Sequence, residues 1–133
     1  VTRVDVTFGD CDPAGIVFYP NIFRWLDRAF HEWLRPRGGH GDICARLGAF
    51  GIGLIDAKAQ FRRPMTDGDT VMIDITVKEW GRKTVSLEYE GMVGGVVVFQ
   101  AQEVRGLFKR NNGDTFAMEI AALRELVEAF GKE

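Results

Sequence analysis

Residues 9–21 hold the densest set of groups able to do chemistry: Gly9-Asp10-Cys11-Asp12-Pro13-Ala14-Gly15-Ile16-Val17-Phe18-Tyr19-Pro20-Asn21. Two carboxylates stand two residues apart, a Pro-Ala-Gly segment turns the chain, and Pro20 opens a helix where its missing N–H is no loss. An acidic side chain is thereby brought close to a helix N-terminus, whose backbone N–H groups lack intrahelical partners. Such donors polarise a carbonyl and hold a developing oxyanion. A carboxylate beside them is set to attack a carbonyl carbon or to take a proton from water. These are the parts of acyl transfer. By spacing alone, Asp12 also suits the blander task of a cap or turn residue, and Asp10, at a strand end, suits plain solvation.

Other chemistries find less support. His31 and His40 lack the spacing of a zinc site, and no HExxH pattern occurs, so no metal is expected. His31 lies beside an apolar helix stripe and reads as a satisfied or exposed helix residue. The many glycines punctuate turns and form neither a dinucleotide nor a P-loop signature. No GxSxG elbow is present. Cys11 and Cys44 are too few and too far apart for a disulfide framework or a CxxC redox site. With 17 Lys plus Arg against 19 Asp plus Glu, the net charge of −2 is a poor start for binding a nucleic-acid backbone. No run approaches the roughly 20 apolar residues of a membrane span, and the alternating N-terminus is unlike a signal peptide. A reduced, cytoplasmic protein is expected.

These groups need a scaffold, and 133 residues that are 46% hydrophobic and 27% charged suit one globular domain, residues 1–133, able to bury a core without staples. Residues 3–8 alternate with period two and read as a strand. After Pro20, Ile22, Leu26, Ala29, Phe30 and Trp33 recur at helical spacing, with Phe23 and Leu34 beside the stripe. Pro36 and Gly38-Gly39 stop that helix near residue 35. Residues 42–48 suit a short helix that Asp42 could cap. Period two then returns: Ile55, Ala57, Ala59 and Phe61 share one face, followed by alternating runs over 71–78 and 85–90. Gly94-Gly95 signals a hairpin into a long run, Val96 to Lys109, apolar on both faces at first as in a central strand. Asn111–Asp114 turns again, and Met118, Leu123, Leu126, Val127 and Phe130 suit a last amphipathic helix. The sum is an α+β layer: an antiparallel sheet of about five strands against one long helix, plus a C-terminal helix.

The stretch from Gly9 to Asp27, running through Ile22-Phe23-Arg24-Trp25-Leu26, closely resembles the signature of the 4-hydroxybenzoyl-CoA thioesterase family of hotdog-fold enzymes. Lys78-Glu79-Trp80-Gly81-Arg82-Lys83 looks like that family's downstream turn, with Gly81 where the family pattern has another basic residue. The resemblance implies a sheet wrapped around a long helix, and dimers or dimer-paired tetramers with active sites between subunits. It implies an acyl-CoA thioesterase in which Asp12 is nucleophile or general base and the Tyr19 N–H receives the thioester carbonyl. Gly15 would permit close backbone approach. Arg82 and Lys83 would meet the CoA phosphates, and Asp27 the aromatic end of the substrate. Trp80 suits either adenine stacking or a buried dimer contact. Arg62-Arg63 and Lys109-Arg110 are further basic pairs near strand ends that suit solvent.

CoA enters as part of the substrate, so no separate cofactor is implied. Residues 37–53, with Gly38-Gly39-His40-Gly41-Asp42, depart from the hydroxybenzoyl-specific pattern, leaving aryl- or short-chain acyl-CoA as the substrate class. The alternatives are a Tol–Pal-associated type of acyl-CoA thioesterase and a non-catalytic binder of acyl-CoA or acyl-carrier protein. A hotdog dehydratase ranks below both, because such enzymes usually place a histidine at the active helix.

Overall fold

A computed structural model describes residues 1–130. Its elements in order are β1 (Thr2–Asp5), α1 (Pro20–Leu34), α2 (His40–Leu47), β2 (Gly51–Phe61), β3 (Thr70–Trp80), β4 (Thr84–Val93), β5 (Val96–Asn111), β6 (Asp114–Ala117) and α3 (Ala121–Phe130). All strands join one antiparallel sheet in the order β1-β3-β4-β5-β2, with β6 also paired to β5. Hairpin chemistry accounts for much of that order. Gly94 and Gly95 both take positive φ (57° and 79°), as do Asn112 and Gly113 (52° and 85°). Two-residue turns of that kind match the twist of the strands they join.

The helix α1 lies across the inner face of this sheet and buries Ile22, Trp25, Leu26, Ala29, Phe30 and Leu34. Facing them are Val71 and Ile73 of β3, Val85, Leu87 and Tyr89 of β4, and Phe99, Ala101 and Leu107 of β5. Complete burial of a Leu or Phe side chain contributes about 1.5–3 kcal/mol, so this single interface dominates the fold. It is the sheet around a long helix that the sequence implied.

Several details differ from the sequence-based expectation. The first strand stops at Asp5, and Phe8–Asp10 curls into a 3-10 turn that leaves Phe8 exposed. The Asp10 carboxylate accepts hydrogen bonds from the Thr7 N–H (2.9 Å) and Thr7 hydroxyl (3.1 Å), which folds the chain back before it can extend. In β2 a bulge between Leu54 and Asp56 breaks the expected alternation. Ile55 joins the outer face, against Gly106, while Leu54 pairs with Arg105. The sheet of about five strands is present as the path β1-β3-β4-β5-β2, and the short strand β6 is an addition to it. Met118 precedes α3: its N–H bonds to the Leu107 carbonyl at 2.7 Å, so the chain there still follows β5. Asp42 falls inside the first turn of α2, and Gly39 holds the cap position.

Candidate active site

The segment 10–19 is stitched together chiefly by its own backbone. The Asp12 N–H bonds to Ile16 O and the Gly15 N–H to Asp12 O, both at 2.9 Å, closing a reversal that needs Gly15 at φ +82°. Cys11 and Val17 form an isolated antiparallel bridge, and the Val17 N–H reaches the Met65 carbonyl at 2.8 Å. The loop is also tied to the helix. The Asp10 carbonyl accepts from the Phe18 N–H and from the Asn21 side-chain amide, each at 2.9 Å.

Within this frame the two carboxylates differ. Asp10 is spent on Thr7, as described. Asp12 is half-buried, and its Oδ1 accepts the Ala14 N–H at 2.8 Å, an Asx turn that orients the carboxylate. Its Oδ2 has no partner among the described residues.

The start of α1 has one spare donor. No side chain caps it, no acidic residue lies in its first turn, and Pro20 has no N–H to give. The Asn21 and Ile22 N–H groups are taken by Phe18 O (2.9 Å) and Tyr19 O (3.0 Å). The Tyr19 N–H has no partner among the described residues. An unpaired amide at the positive end of a helix is a seat for a carbonyl oxygen or an oxyanion.

Beside it opens a mostly apolar cavity of about 390 Å³, walled by Ile16, Val17, Tyr19, Ile22, Phe61 and Met65, with Arg62 and Arg63 also contributing. The Phe61 ring stands 6.4 Å from the Tyr19 ring and 6.5 Å from that of Phe23. A second hollow of about 470 Å³ on the outer sheet face carries Asp74, Glu88 and Glu90 against Arg62 alone, which does not suit a polyphosphate.

Of the sequence-derived candidates, Asp12, Gly15 and Tyr19 share the loop and helix start. Asp27 lies two turns further along α1 on the row Tyr19, Phe23, Asp27. Arg82 and Lys83 are exposed at the β3–β4 turn and do not line the apolar cavity. Arg82 pairs with Glu119 at 2.9 Å, and its carbonyl accepts the Ile120 N–H, so the turn is fastened to the approach to α3. Trp80 is half-buried against the core at the end of β3. The basic pair at the cavity is Arg62-Arg63, and Arg110 of the other pair stacks on Phe50 at 3.8 Å.

Sequence reading missed a buried polar group behind Asp27. Tyr89 donates to Glu103 (2.5 Å), Arg105 donates to Glu103 (3.0 Å and 3.3 Å), and Arg105 Nη2 reaches Asp27 Oδ1 at 3.1 Å. Burial, then the Glu103 charge, drives the Tyr89 hydroxyl far above its usual range. Burial pulls on the Arg105 guanidinium the other way, but its bonds and charge pairing with Glu103 win and leave it raised. The signal was present: two charges at inward positions of an otherwise apolar central strand. Next in line, His31 Nε2 lies 3.6 Å from Asp27, and the His31 and His40 rings are 5.6 Å apart. His40 Nε2 accepts the Ile52 N–H at 3.1 Å.

Comparison with known proteins agrees with this geometry. A family model described as Thioesterase superfamily matches residues 14–100. The chain is 34% identical to 4-hydroxybenzoyl-CoA thioesterase of Pseudomonas sp. (strain CBS-3) over 125 residues, 88% of each chain. It is 29% identical to a 1,4-dihydroxy-2-naphthoyl-CoA hydrolase of Trichodesmium erythraeum (strain IMS101) over 85 residues, 64% of this chain and 62% of that one. Among solved structures, an Asp-to-Asn mutant of 4-hydroxybenzoyl CoA thioesterase complexed with 4-hydroxybenzoyl CoA superimposes with a TM-score of 0.85 at 30% identity, covering 95% and 96% of the two chains. A gentisyl-coenzyme A thioesterase gives 0.76 at 28% identity over 96% and 98%. On that match across the loop, the long helix and most of the sheet, the protein belongs to the thioesterase superfamily, in the hotdog-fold family of 4-hydroxybenzoyl-CoA thioesterase.

Proposed function

We propose that this protein hydrolyses the thioester of a ring-hydroxylated aroyl-CoA to the free acid and CoA. The observation that carries this reading is the unpartnered Tyr19 amide beside an apolar cavity, with Asp12, one oxygen free, held in the loop that leads to it. The relatives named above act on hydroxybenzoyl, dihydroxynaphthoyl and gentisyl thioesters, all aromatic acyl groups with a ring hydroxyl.

In the proposed reaction the Tyr19 N–H donates a hydrogen bond to the thioester carbonyl oxygen, and the helix dipole favours the negative charge that develops there. One such donor is worth about 3–4 kcal/mol of barrier in comparable oxyanion holes. Asp12 either attacks the carbonyl carbon, expelling CoA thiolate and leaving a mixed anhydride for water to cleave, or takes a proton from the water that attacks directly. In both routes the C–S bond breaks and the thiolate leaves without needing a strong acid. By direct attack water supplies the new acyl oxygen. In the anhydride route water attacks the Asp12 carbonyl, so the acid departs with an Asp12 oxygen and water restores the carboxylate. Asp27 accepts a hydrogen bond from the ring hydroxyl. Arg82 and Lys83, with Arg62 and Arg63, are the cations available to the CoA phosphates, Arg82 exchanging Glu119 for phosphate; Trp80 is available to the adenine. Two unpaired thiols fit the reducing cytoplasm.

The same reading calls for more than one copy of the chain. The family resemblance implies active sites between subunits, and on the single chain the cavity beside Tyr19 is open. The free edge β2, with Leu54, Ile55 and Phe61 about half exposed, is the natural seam of a dimer or of a tetramer built from dimers.

Release of free thiol from a panel of hydroxybenzoyl-, benzoyl-, phenylacetyl- and straight-chain acyl-CoA esters tests this. Turnover of a hydroxyaroyl ester, lost in Asp12→Asn, is the expected result. Tight binding of the esters without thiol release would instead identify a binding protein. Single-turnover hydrolysis in labelled water separates the two routes, since only the anhydride route puts label into the Asp12 carboxylate.

A further inference from the structure

The inward face of β5 runs Phe99, Ala101, Glu103, Arg105, Leu107, every member buried, with Glu103 and Arg105 only 2% exposed. Two charges in a core are a poor way to hold a fold together, since their desolvation offsets most of their attraction and apolar residues of like volume do as well or better. The pair therefore calls for another task, and its geometry is one-directional. The Arg105 guanidinium is fixed on three sides: Glu103 takes Nε and Nη2, Tyr89 holds Glu103 from behind, and the Phe30 ring lies 3.9 Å beneath it. Its remaining bond leaves the core and ends on Asp27 Oδ1, a side chain 59% exposed on the helix surface. Asp27 Oδ2 has no partner among the described residues.

We propose that Arg105, locked by Glu103 and Tyr89, is a positioning residue that holds the Asp27 carboxylate in one orientation, so that its free oxygen selects acyl groups carrying a hydroxyl. This inference rests on the thioesterase reading above and deepens it. An unrestrained surface aspartate would lose rotamer freedom on meeting a ligand, whereas one already fixed by a buried guanidinium does not. The same fixation is the basis of rejection. A ring without a hydroxyl leaves Asp27 Oδ2 desolvated and unpaired, and a site built around a hydrogen bond discriminates strongly against a ligand that lacks it.

The test compares kcat/KM for 4-hydroxybenzoyl-CoA and benzoyl-CoA in the full chain, its Arg105→Lys, Asp27→Asn and Tyr89→Phe variants, and the Arg105→Lys/Asp27→Asn pair. Wild type is expected to favour the hydroxylated ester by about tenfold or more, the scale of one hydrogen bond to a charged group. Asp27→Asn removes most of that preference. Arg105→Lys, which keeps the charge but loses the fork, lowers the preference by raising KM for the hydroxylated ester and does not depress benzoyl-CoA hydrolysis. It adds nothing once Asp27 is Asn. A purely structural Arg105 would depress both esters alike and in both backgrounds, which overturns the proposal. Should Arg105→Lys fail to fold, Tyr89→Phe, which loosens Glu103 while sparing the ion pair, must shift the ratio in the same direction; an unchanged ratio overturns it. Equal turnover of both esters by wild type sinks the positioning role and leaves the hydrolase standing, while no thiol release from any ester sinks both.

Discussion

At the scale of single residues, the informative contrast is between two aspartates in one loop. Asp10 gives one oxygen to two donors of Thr7 and shapes the turn, while Asp12 gives one oxygen to its own Asx turn and keeps the other. Asp12→Asn is therefore expected to leave folding intact, because an amide oxygen still accepts the Ala14 N–H, yet to lower kcat by about 10²–10⁴, the range of a lost catalytic acid–base group. Asp10→Ala is expected to do the reverse, costing about 1 kcal/mol of stability for the lost local bonds with a smaller effect on turnover. Thiol-release kinetics beside urea denaturation of both variants checks the pair; comparable losses of kcat would contradict the division of labour.

At the scale of elements, close approaches between neighbouring strands specify residue size. A Cβ at Gly91 of β4 would stand 2.3 Å from the ring of Phe99 on β5, a side chain with no exposure and nowhere to retreat. Gly91→Ala is expected to cost about 1–3 kcal/mol as overpacking, seen as a lower urea midpoint. The junction of α2 and β2 carries a pH dependence. Burial, then the neighbouring charges of His31 and Arg105, lowers the His40 pKa below its ordinary 6.5. The unfolded chain then binds more protons than the folded one below about pH 6.5, so stability is full above that value and falls as pH drops through the folded pKa. Protonation would also remove the acceptor for the Ile52 N–H. Urea midpoints at pH 8 and pH 5 are expected to differ more for wild type than for His40→Gln; equal losses would place the effect elsewhere.

At the scale of the whole molecule, one chain carries half-built features along one side. The cavity beside Tyr19 is open, Phe18, Tyr19 and Phe61 are about half exposed, and β2 has an unpaired edge with Leu54 and Ile55 exposed. Long apolar edges left bare invite pairing, and a lysine there is a common natural block. Ile55→Lys is expected to yield monomers in sedimentation analysis and to lose thioester hydrolysis together with association. A variant that sediments and turns over as wild type does would show that β2 is not the seam.

Much of this protein was legible before any coordinates. The Gly94-Gly95 turn, the stripe of α1 and the loop from Asp10 to Tyr19 are local matters, decided by φ preferences, helical spacing and the chemistry of Pro and Gly, and each is where the sequence put it. The resemblance over Gly9–Asp27 then carried the fold class and the family. What local rules do not contain is partnership between distant strands. Whether Asp114–Ala117 becomes a strand depends on β5 running past the end of β4, and the bulge at Ile55 depends on the match between β2 and β5. That Arg105, 78 positions away in sequence, ends on Asp27 depends on the whole sheet curling under the helix. Sequence alone specified which residues could act; tertiary packing decided which of them meet, because only the closed core brings polar and charged groups from three elements, β4, β5 and α1, into one hydrogen-bonded line.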